Sequence, residues 1–354
     1  MEKKKNVNNM DLDNKNSVLS FESLSVGYRN GKKIKTVADQ LCGKLCRGKL
    51  TSLIGSNGTG KSTLLRTLAG FQPALDGKVS LGGKELKSIP SNELARLVSV
   101  VLTDRVMVPN ATVFEIAALG RSPYHGRWNR FGDEDHKIIN EALEQCGIAY
   151  KRDELLSSLS DGERQKVFIA KALIQKTDII ILDEPAAFLD FSARIEIMKL
   201  LRDIASSRNI AILLSSHDLD LALQLSDNIW LFYPNGPILD GTPEDLLWER
   251  KFDEIFHSDH LKYDPLRGKY EVFYRTKKKI NVAVPKDMFA LLVSAFKREG
   301  VEISSVDRIE KNGISWNQNC FNIVDNNNVA MTCYTISELV QFCCKESKIN
   351  INTL

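Results

Sequence analysis

The chain is short of the features that would make it a membrane-spanning, secreted or nucleic-acid-coating protein. No apolar run approaches the ~18–20 residues needed to cross a bilayer, so work at a membrane would require partner subunits to hold the chain there. The opening stretch, MEKKKNVNNMDLDNKN, is basic, but no apolar core follows it. It is therefore not read as a secretory signal. Seven cysteines (42, 46, 146, 320, 333, 343, 344) include no CxxC pair, and their odd number argues against a disulfide framework. Reduced thiols are expected. With 48 Lys and Arg against 45 Asp and Glu, the formal charge is +3, too near balance for a protein that works by coating nucleic acid.

What is present is an ordinary globular composition, 43% hydrophobic and 26% charged. A length of 354 residues exceeds what one core usually organises, so one large domain and an appendage are expected. Residues 1–17 are rich in Lys and Asn and are expected to form a disordered tail. Val18–Tyr28 alternates as a strand, and Lys49–Ile54 is a second strand running into a Gly-rich loop and then a helix marked by Leu64, Leu65 and Leu68. Asp133–Ser157 and Ser160–Ile174 carry helical spacing. DIIILDEP and AILLSSHD are short continuous apolar runs on either side of an amphipathic stretch, Ile195–Ala205, as expected of buried parallel strands. Strands alternating with helices predict an α/β core with a parallel sheet. Composition changes near Lys262–Lys269, and the segments EVFYR, INVAVP, Lys286–Glu299, VEISSV and Ser337–Glu346 beyond it predict a small α+β appendage.

The loop reads Gly55-Ser56-Asn57-Gly58-Thr59-Gly60-Lys61-Ser62, followed by Thr63. Strand, Gly-rich turn and helix is the context in which this spacing becomes a P-loop. Backbone N–H groups and a helix N-terminus would cradle the phosphates of ATP. Lys61 would reach the β- and γ-phosphates, and Ser62 would offer its hydroxyl to Mg²⁺. IIILDE ends a buried strand on two carboxylates: Asp183 is suited to the Mg²⁺ shell and Glu184 to polarising an attacking water. Leu159-Ser160-Asp161-Gly162-Glu163 opens another helix with a Ser and a Gly. Alone it would be an ordinary N-cap with acid in its first turn. Beside a P-loop, it suggests a second phosphate-gripping helix start and two chains sharing each nucleotide.

These motifs resemble, in order and over about residues 18–260, the nucleotide-binding subunits of ATP-binding-cassette (ABC) transporters. LSDGE resembles the family's LSGGQ signature, Ala187-Phe188-Leu189-Asp190 its D-loop, and His217 its switch histidine. The resemblance implies a P-loop NTPase fold with a helical subdomain at about 104–175. It implies that Tyr28 stacks on adenine, that His217 meets the γ-phosphate, and that Asp190 belongs to the nucleotide site. It also implies that Ser160 and Gly162 complete the site of a second copy, in a homodimer that closes on ATP and reopens after hydrolysis. Integral-membrane permease subunits, and indirectly a substrate-binding protein, are the implied partners, with the chain peripheral on the cytoplasmic face of the cell membrane and no nucleic acid. Two positions depart from the family pattern. Thr103 stands where the Q-loop glutamine should be, with a hydroxyl of shorter reach toward Mg²⁺. Asp161 and Glu163 replace a glycine and a glutamine, and carboxylates beside a γ-phosphate would repel it unless they point away, so neither is given a direct role.

Thr112-Val113-x-Glu115 followed by Gly120-Arg121-Ser122-Pro123-Tyr124 resembles the ATPases of ferric-siderophore, haem and vitamin B12 importers. It also reads as a helix end and a Pro-directed loop. The alternative class, a soluble ABC ATPase acting on nucleic acid or the ribosome, predicts two cassettes or a long heptad insertion, and neither is visible. A binding module without hydrolysis is disfavoured by Lys61, Asp183, Glu184 and His217. The segment 261–354 carries no motif convertible into chemistry. Cys343-Cys344, adjacent on a helix, point apart and read as a core and surface pair rather than a metal site.

Overall fold

The computed structural model describes residues 16–31, 33–102, 108, 110–125, 131–233, 236–255, 261–264, 269–272, 274–276, 278–317 and 319–345. The chain divides into two units, Met1–Phe256 and His257–Leu354. Position 103, like residues 1–15 of the expected tail, lies outside the described residues.

The first unit holds strands β1 (Ser17–Asn30), β2 (Lys33–Cys46), β3 (Leu50–Ile54), β4 (Asp76–Leu81), β5 (Lys84–Glu85), β6 (Val98–Val101), β7 (Ile179–Leu182), β8 (Ala211–Ser216), β9 (Asn228–Phe232) and β10 (Ile238–Gly241). They form an antiparallel sheet ordered β2-β1-β4-β5 and a six-stranded sheet ordered β10-β9-β3-β8-β7-β6. In the second sheet β6, β7, β8, β3 and β9 are parallel, and β10 is an antiparallel edge. Both faces of this sheet are covered, which is why its strands read as unbroken apolar runs. Ile180, Leu182, Ile212 and Leu214 pack against helices Val113–Ala118, Asp133–Gln145, Asp161–Ile174 and Phe191–Arg208. Ile179, Ile181 and Leu213 pack on the opposite side, with Leu64, Leu65 and Leu68 of the helix Lys61–Leu68 and with Leu19, Phe21 and Leu24 of β1.

Ligands of such sheets bind outside the carboxyl ends of the strands. Here the neighbouring order β3-β8-β7 sets three loops in a row: Gly55 onward after β3, His217 after β8, and Asp183-Glu184 after β7. The helix expected over Asp133–Ser157 is shorter, because it stops at Gln145. Gly147 adopts φ 65, a left-handed turn that ends a helix, and isolated 3₁₀ turns follow at Ala149–Lys151 and Leu156–Ser158. The helix expected at Ile195–Ala205 is longer, running from an Asp190 cap to Arg208.

The second unit has a hairpin of β11 (Leu261–Asp264) and β12 (Lys269–Val272) and a five-stranded sheet. The sheet is built from β13 (Lys278–Ala283), β14 (Val301–Ser305), β15 (Gly313–Asn317), β16 (Cys320–Asp325) and β17 (Asn328–Cys333), ordered β14-β13-β15-β16-β17. Leu292 and Phe296 of helix Lys286–Arg298, with Leu339 and Cys343 of helix Ile336–Lys345, form a core with Ile280, Val282, Ile314, Phe321 and Ile323. All seven cysteines are free thiols. Burial pushes Cys146 and Cys343 up to about 12, so neither is a thiolate at neutral pH.

Candidate active site

The loop after β3 is shaped by what surrounds it. A Cβ on Gly55 would stand 2.6 Å from the Phe232 carbonyl oxygen, so only glycine lets the two backbones approach. Gly60 has φ 103, in the left-handed region, and forms the N-cap of helix Lys61–Leu68. Lys61 is 6% exposed and folds back across the loop, its Nζ donating to the carbonyls of Gly55 at 2.8 Å and Ser56 at 3.0 Å. Burial lowers its proton affinity, against the opposing pull of Glu184 and Asp183. Thr59 Oγ1 donates to the Ser56 carbonyl at 2.9 Å, while Asn57 and Gly58 are exposed at the loop tip. Tyr28, on β1, shares a 3.0 Å hydrogen bond between its hydroxyl and Thr63 Oγ1.

Opposite Lys61, the end of β7 presents Asp183, 7% exposed. Its Oδ1 accepts from Ser62 Oγ at 3.1 Å and from Ser215 Oγ at 2.7 Å. Ser215 Oγ in turn accepts from the Glu184 N–H at 2.8 Å. Ser215 thus ties the ends of β7 and β8 together, a role sequence reasoning missed. Its signal was a serine pair inside the otherwise apolar run AILLSS, at a fully buried position that must find partners. Glu184 has φ 49, a left-handed conformation unusual for a residue with a side chain. Its Oε1 pairs with His217 Nε2. Lys61, Ser62, Asp183, Glu184 and His217 are therefore brought together, and contacts link all of them but Lys61 in one chain.

Ser160, Gly162 and Asp190 form a second group at two helix starts. Asp190 caps helix Phe191–Arg208, accepting from the Ala193 N–H at 2.8 Å and from Ser192 Oγ at 3.1 Å, and these bonds hold its carboxyl below the ordinary range. Ser160 caps helix Asp161–Ile174 in a reciprocal box with Glu163. A Cβ on Gly162 would lie 3.3 Å from Ala193 Cβ, so the two helix starts sit side by side. Asp161 is paired with Arg164 at 2.9 Å.

The segment Gly120–Tyr124 is a keystone of the helical subdomain. Arg121 Nε donates to Asp135 Oδ1 at 2.8 Å, and both residues are buried. Its guanidinium lies 4.1 Å from the centre of the Tyr124 ring, and Tyr124 Oη donates to the Gln175 carbonyl at 2.8 Å. Burial works against the charge of Asp135, but hydrogen bonds from Arg121, the Gly132 N–H and His125 hold its carboxyl at about 2. Upstream, Thr112 and Glu115 close another capping box at the start of helix Val113–Ala118. None of the described helices is long and apolar enough to cross a membrane.

Residues 38–187 match the ABC transporter family. An uncharacterized ABC transporter ATP-binding protein of Methanocaldococcus jannaschii is 37% identical over 255 residues, which is 72% of this chain and 87% of that one. The iron(3+)-hydroxamate import ATP-binding protein FhuC of Bacillus subtilis is 32% identical over 252 residues, 71% of this chain and 92% of its own length. Among solved structures, cbiO1 of Clostridium perfringens, part of the ABC transporter complex cbiONQ, aligns with a TM-score of 0.59 and 26% identity over 68% of this chain and 96% of that one. The chain belongs to the ABC transporter family, as an ATP-binding subunit that hydrolyses ATP to drive transport.

Proposed function

We propose that this subunit powers import of an iron chelate or a related metal chelate such as cobalamin, working as a homodimer beneath partner permease subunits on the cytoplasmic face of the cell membrane. The observation that carries the catalytic part is the chain of contacts Ser62–Asp183–Ser215–Glu184–His217 across the ends of β3, β7 and β8. The iron-chelate cargo is supported by relatives such as the hydroxamate importer's ATPase.

In this reading the P-loop N–H groups and Lys61 bind the β- and γ-phosphates, and Lys61 exchanges the Gly55 and Ser56 carbonyls for phosphate oxygens. The Ser62 hydroxyl beside the buried Asp183 carboxylate is a pair of hard oxygen donors that fits Mg²⁺. Ser62 and Asp183 would hold that ion, and when bound it supplies neutralisation of phosphate charge. No group of three or more His, Cys, Asp or Glu placed to hold a metal ion exists among the described residues, and Mg²⁺ in phosphate sites needs only one or two carboxylates. Glu184 polarises the attacking water. Its Ser215-anchored backbone and left-handed turn fix where its carboxylate projects, and His217 pairs with it while standing ready for the γ-phosphate. Tyr28 covers the adenine. Ser160, Gly162 and Asp190 serve the nucleotide of the second copy.

Two measurements test this. ATP should drive the full-length chain into a dimer by light scattering, and Lys61→Ala should abolish that shift; a chain that stays monomeric with ATP removes the shared-site reading. Deleting the gene should reduce cellular uptake of ferric siderophore, haem or cobalamin, each assayed separately. Undiminished uptake of all three would overturn the cargo class.

A further inference from the structure

The Ser160 side chain is fully engaged within its own helix start. Its hydroxyl donates to Glu163 Oε2 at 2.8 Å and accepts from the Glu163 N–H at 3.3 Å, and its backbone N–H reaches the same carboxylate oxygen at 2.9 Å. The other carboxylate oxygen, Oε1, accepts the Tyr150 phenol proton at 3.0 Å, with Lys151 Nζ at 3.9 Å. A serine hydroxyl has one proton to give. If Ser160 is to donate to a γ-phosphate, it must first let go of Glu163.

We propose that Glu163 is a positioning residue that holds the Ser160 hydroxyl in a resting orientation, and that Tyr150 enables its release when a second copy presents ATP. The change is an exchange of hydrogen bonds, with no covalent bond made or broken: the Ser160 O–H leaves Glu163 Oε2 for a phosphate oxygen. The carboxylate remains satisfied by the Ser160 N–H and the Tyr150 phenol. The proposal rests on the assignment of Ser160 to the nucleotide.

Three observations carry it. An amide at position 163 would close the same capping box, so the negative charge is not needed to start the helix. The two carboxylates of the segment are compensated unequally: Asp161 has Arg164 at 2.9 Å, whereas the Lys151 that stands 3.9 Å from Glu163 is bonded to Glu154 at 3.0 Å. Glu163 is therefore the charge a polyphosphate would meet. Tyr150 is 72% exposed, so packing is a small part of its role; its ring has Lys151 Nζ at 5.8 Å, and its hydroxyl is committed to Glu163.

The test is steady-state ATP hydrolysis by the full-length chain against ATP concentration, with thermal melts alongside. Glu163→Gln should lower the half-saturating ATP concentration about fivefold, since it removes a charged competitor for one proton. Tyr150→Phe should raise it about twofold, because without the phenol proton on Oε1 the carboxylate keeps more negative charge and holds the Ser160 proton more tightly. The double variant should match Glu163→Gln alone, because Tyr150 acts only through Glu163. A purely structural role predicts instead that activity in each single variant falls only as far as its Tm falls, with half-saturation unmoved, and that result, or additive shifts in the double variant, overturns the proposal. An unchanged half-saturation in a stable Glu163→Gln does so too. Ser160→Ala separates the two levels: full activity there removes Ser160 from the nucleotide site and the proposal with it, whereas a crippled Ser160→Ala beside an indifferent Glu163→Gln sinks the proposal alone.

Discussion

The two halves of the proposed nucleotide site are built from different materials. The P-loop half stands on the ends of three parallel strands, and its polar groups are tied across them by Ser215, which is fully buried. The other half stands on the first turns of two helices, Asp161–Ile174 and Phe191–Arg208, where Ser160, Glu163 and Asp190 exchange hydrogen bonds at the protein surface. Buried groups fixed from several strands hold catalytic geometry without rearrangement. Surface caps are worth about 1 kcal/mol each and can trade partners, which suits the half proposed to engage and release a second copy. Charge divides the same way: in the proposed site Lys61 is the cation offered to phosphate in the first half, beside Asp183 and Glu184, whereas the helix start at Ser160 in the second carries the carboxylates Asp161 and Glu163.

The sharpest way to break the contrast is to remove chemistry from the fixed half and leave its binding intact. Glu184→Gln should cut ATP turnover by roughly 10²–10³-fold while nucleotide affinity is retained, since a positioned general base contributes on that scale. Turnover that survives the change, measured by phosphate release, would sink the assignment of Glu184. A second break acts on the support of the other half. Asp135→Asn unpairs the buried Arg121 and should cost about 3 kcal/mol of stability, because an uncompensated buried charge is left behind. The Asp135 carboxyl lies at about 2 against an ordinary 3.8. Its contribution is therefore complete above about pH 4 and lost as pH falls toward 2, where the unfolded chain binds the extra proton. Acid titration of melting should show wild type and Asp135→Asn converging in that window. ATP binding to the P-loop should be spared relative to hydrolysis.

The same contrast explains what the sequence made legible. Gly55–Ser62 is contiguous and fixed by backbone geometry, so its spacing between a strand and a helix carries the reading, and Asp183-Glu184 follows from an apolar run ending on two acids downstream of that loop. Ser215 was not legible, because its meaning depends on β7 and β8 being neighbours, and nothing local states that Ala211 pairs with Ile179. Arg121 and Asp135 were likewise invisible as a pair: 14 residues separate them, and the contact depends on how two helices pack. The early end of the Asp133 helix is readable from Gly147, since the apolar helical spacing stops just before it at Cys146. In the second unit, β15, β16 and β17 alternate weakly, and each carries an Asn, a residue poorly suited to strands. Only the turn at Asn326 and Asn327, with φ 47 and 68, marks the β16–β17 hairpin locally.

A smaller effect sharpens the boundary of the second half. Ser160→Ala should lower turnover about tenfold, the scale of one hydrogen bond to a charged group, and should leave binding of ATP to a single copy unchanged. Measuring monomer affinity with a fluorescent nucleotide beside turnover separates the two halves directly. Equal losses in both would mean that Ser160 supports the fold of its own subunit rather than the site of its partner.

The smallest expected effect lies at the edge of the first half. Tyr28 is 48% exposed and bonds Thr63, the residue just past the P-loop lysine and serine, at 3.0 Å. Tyr28→Phe keeps a ring for the base and removes only that hydroxyl, so it should raise half-saturating ATP by about twofold to fivefold, the value of one partly exposed hydrogen bond. Tyr28→Ala removes the ring as well and should cost more, with the additional loss equal for ATP and for other adenine nucleotides, because stacking ignores the number of phosphates. If Phe and Ala variants behave alike, the ring does not carry base binding. Tyr28 then belongs with the capping contacts, as a strap that positions the start of the P-loop helix.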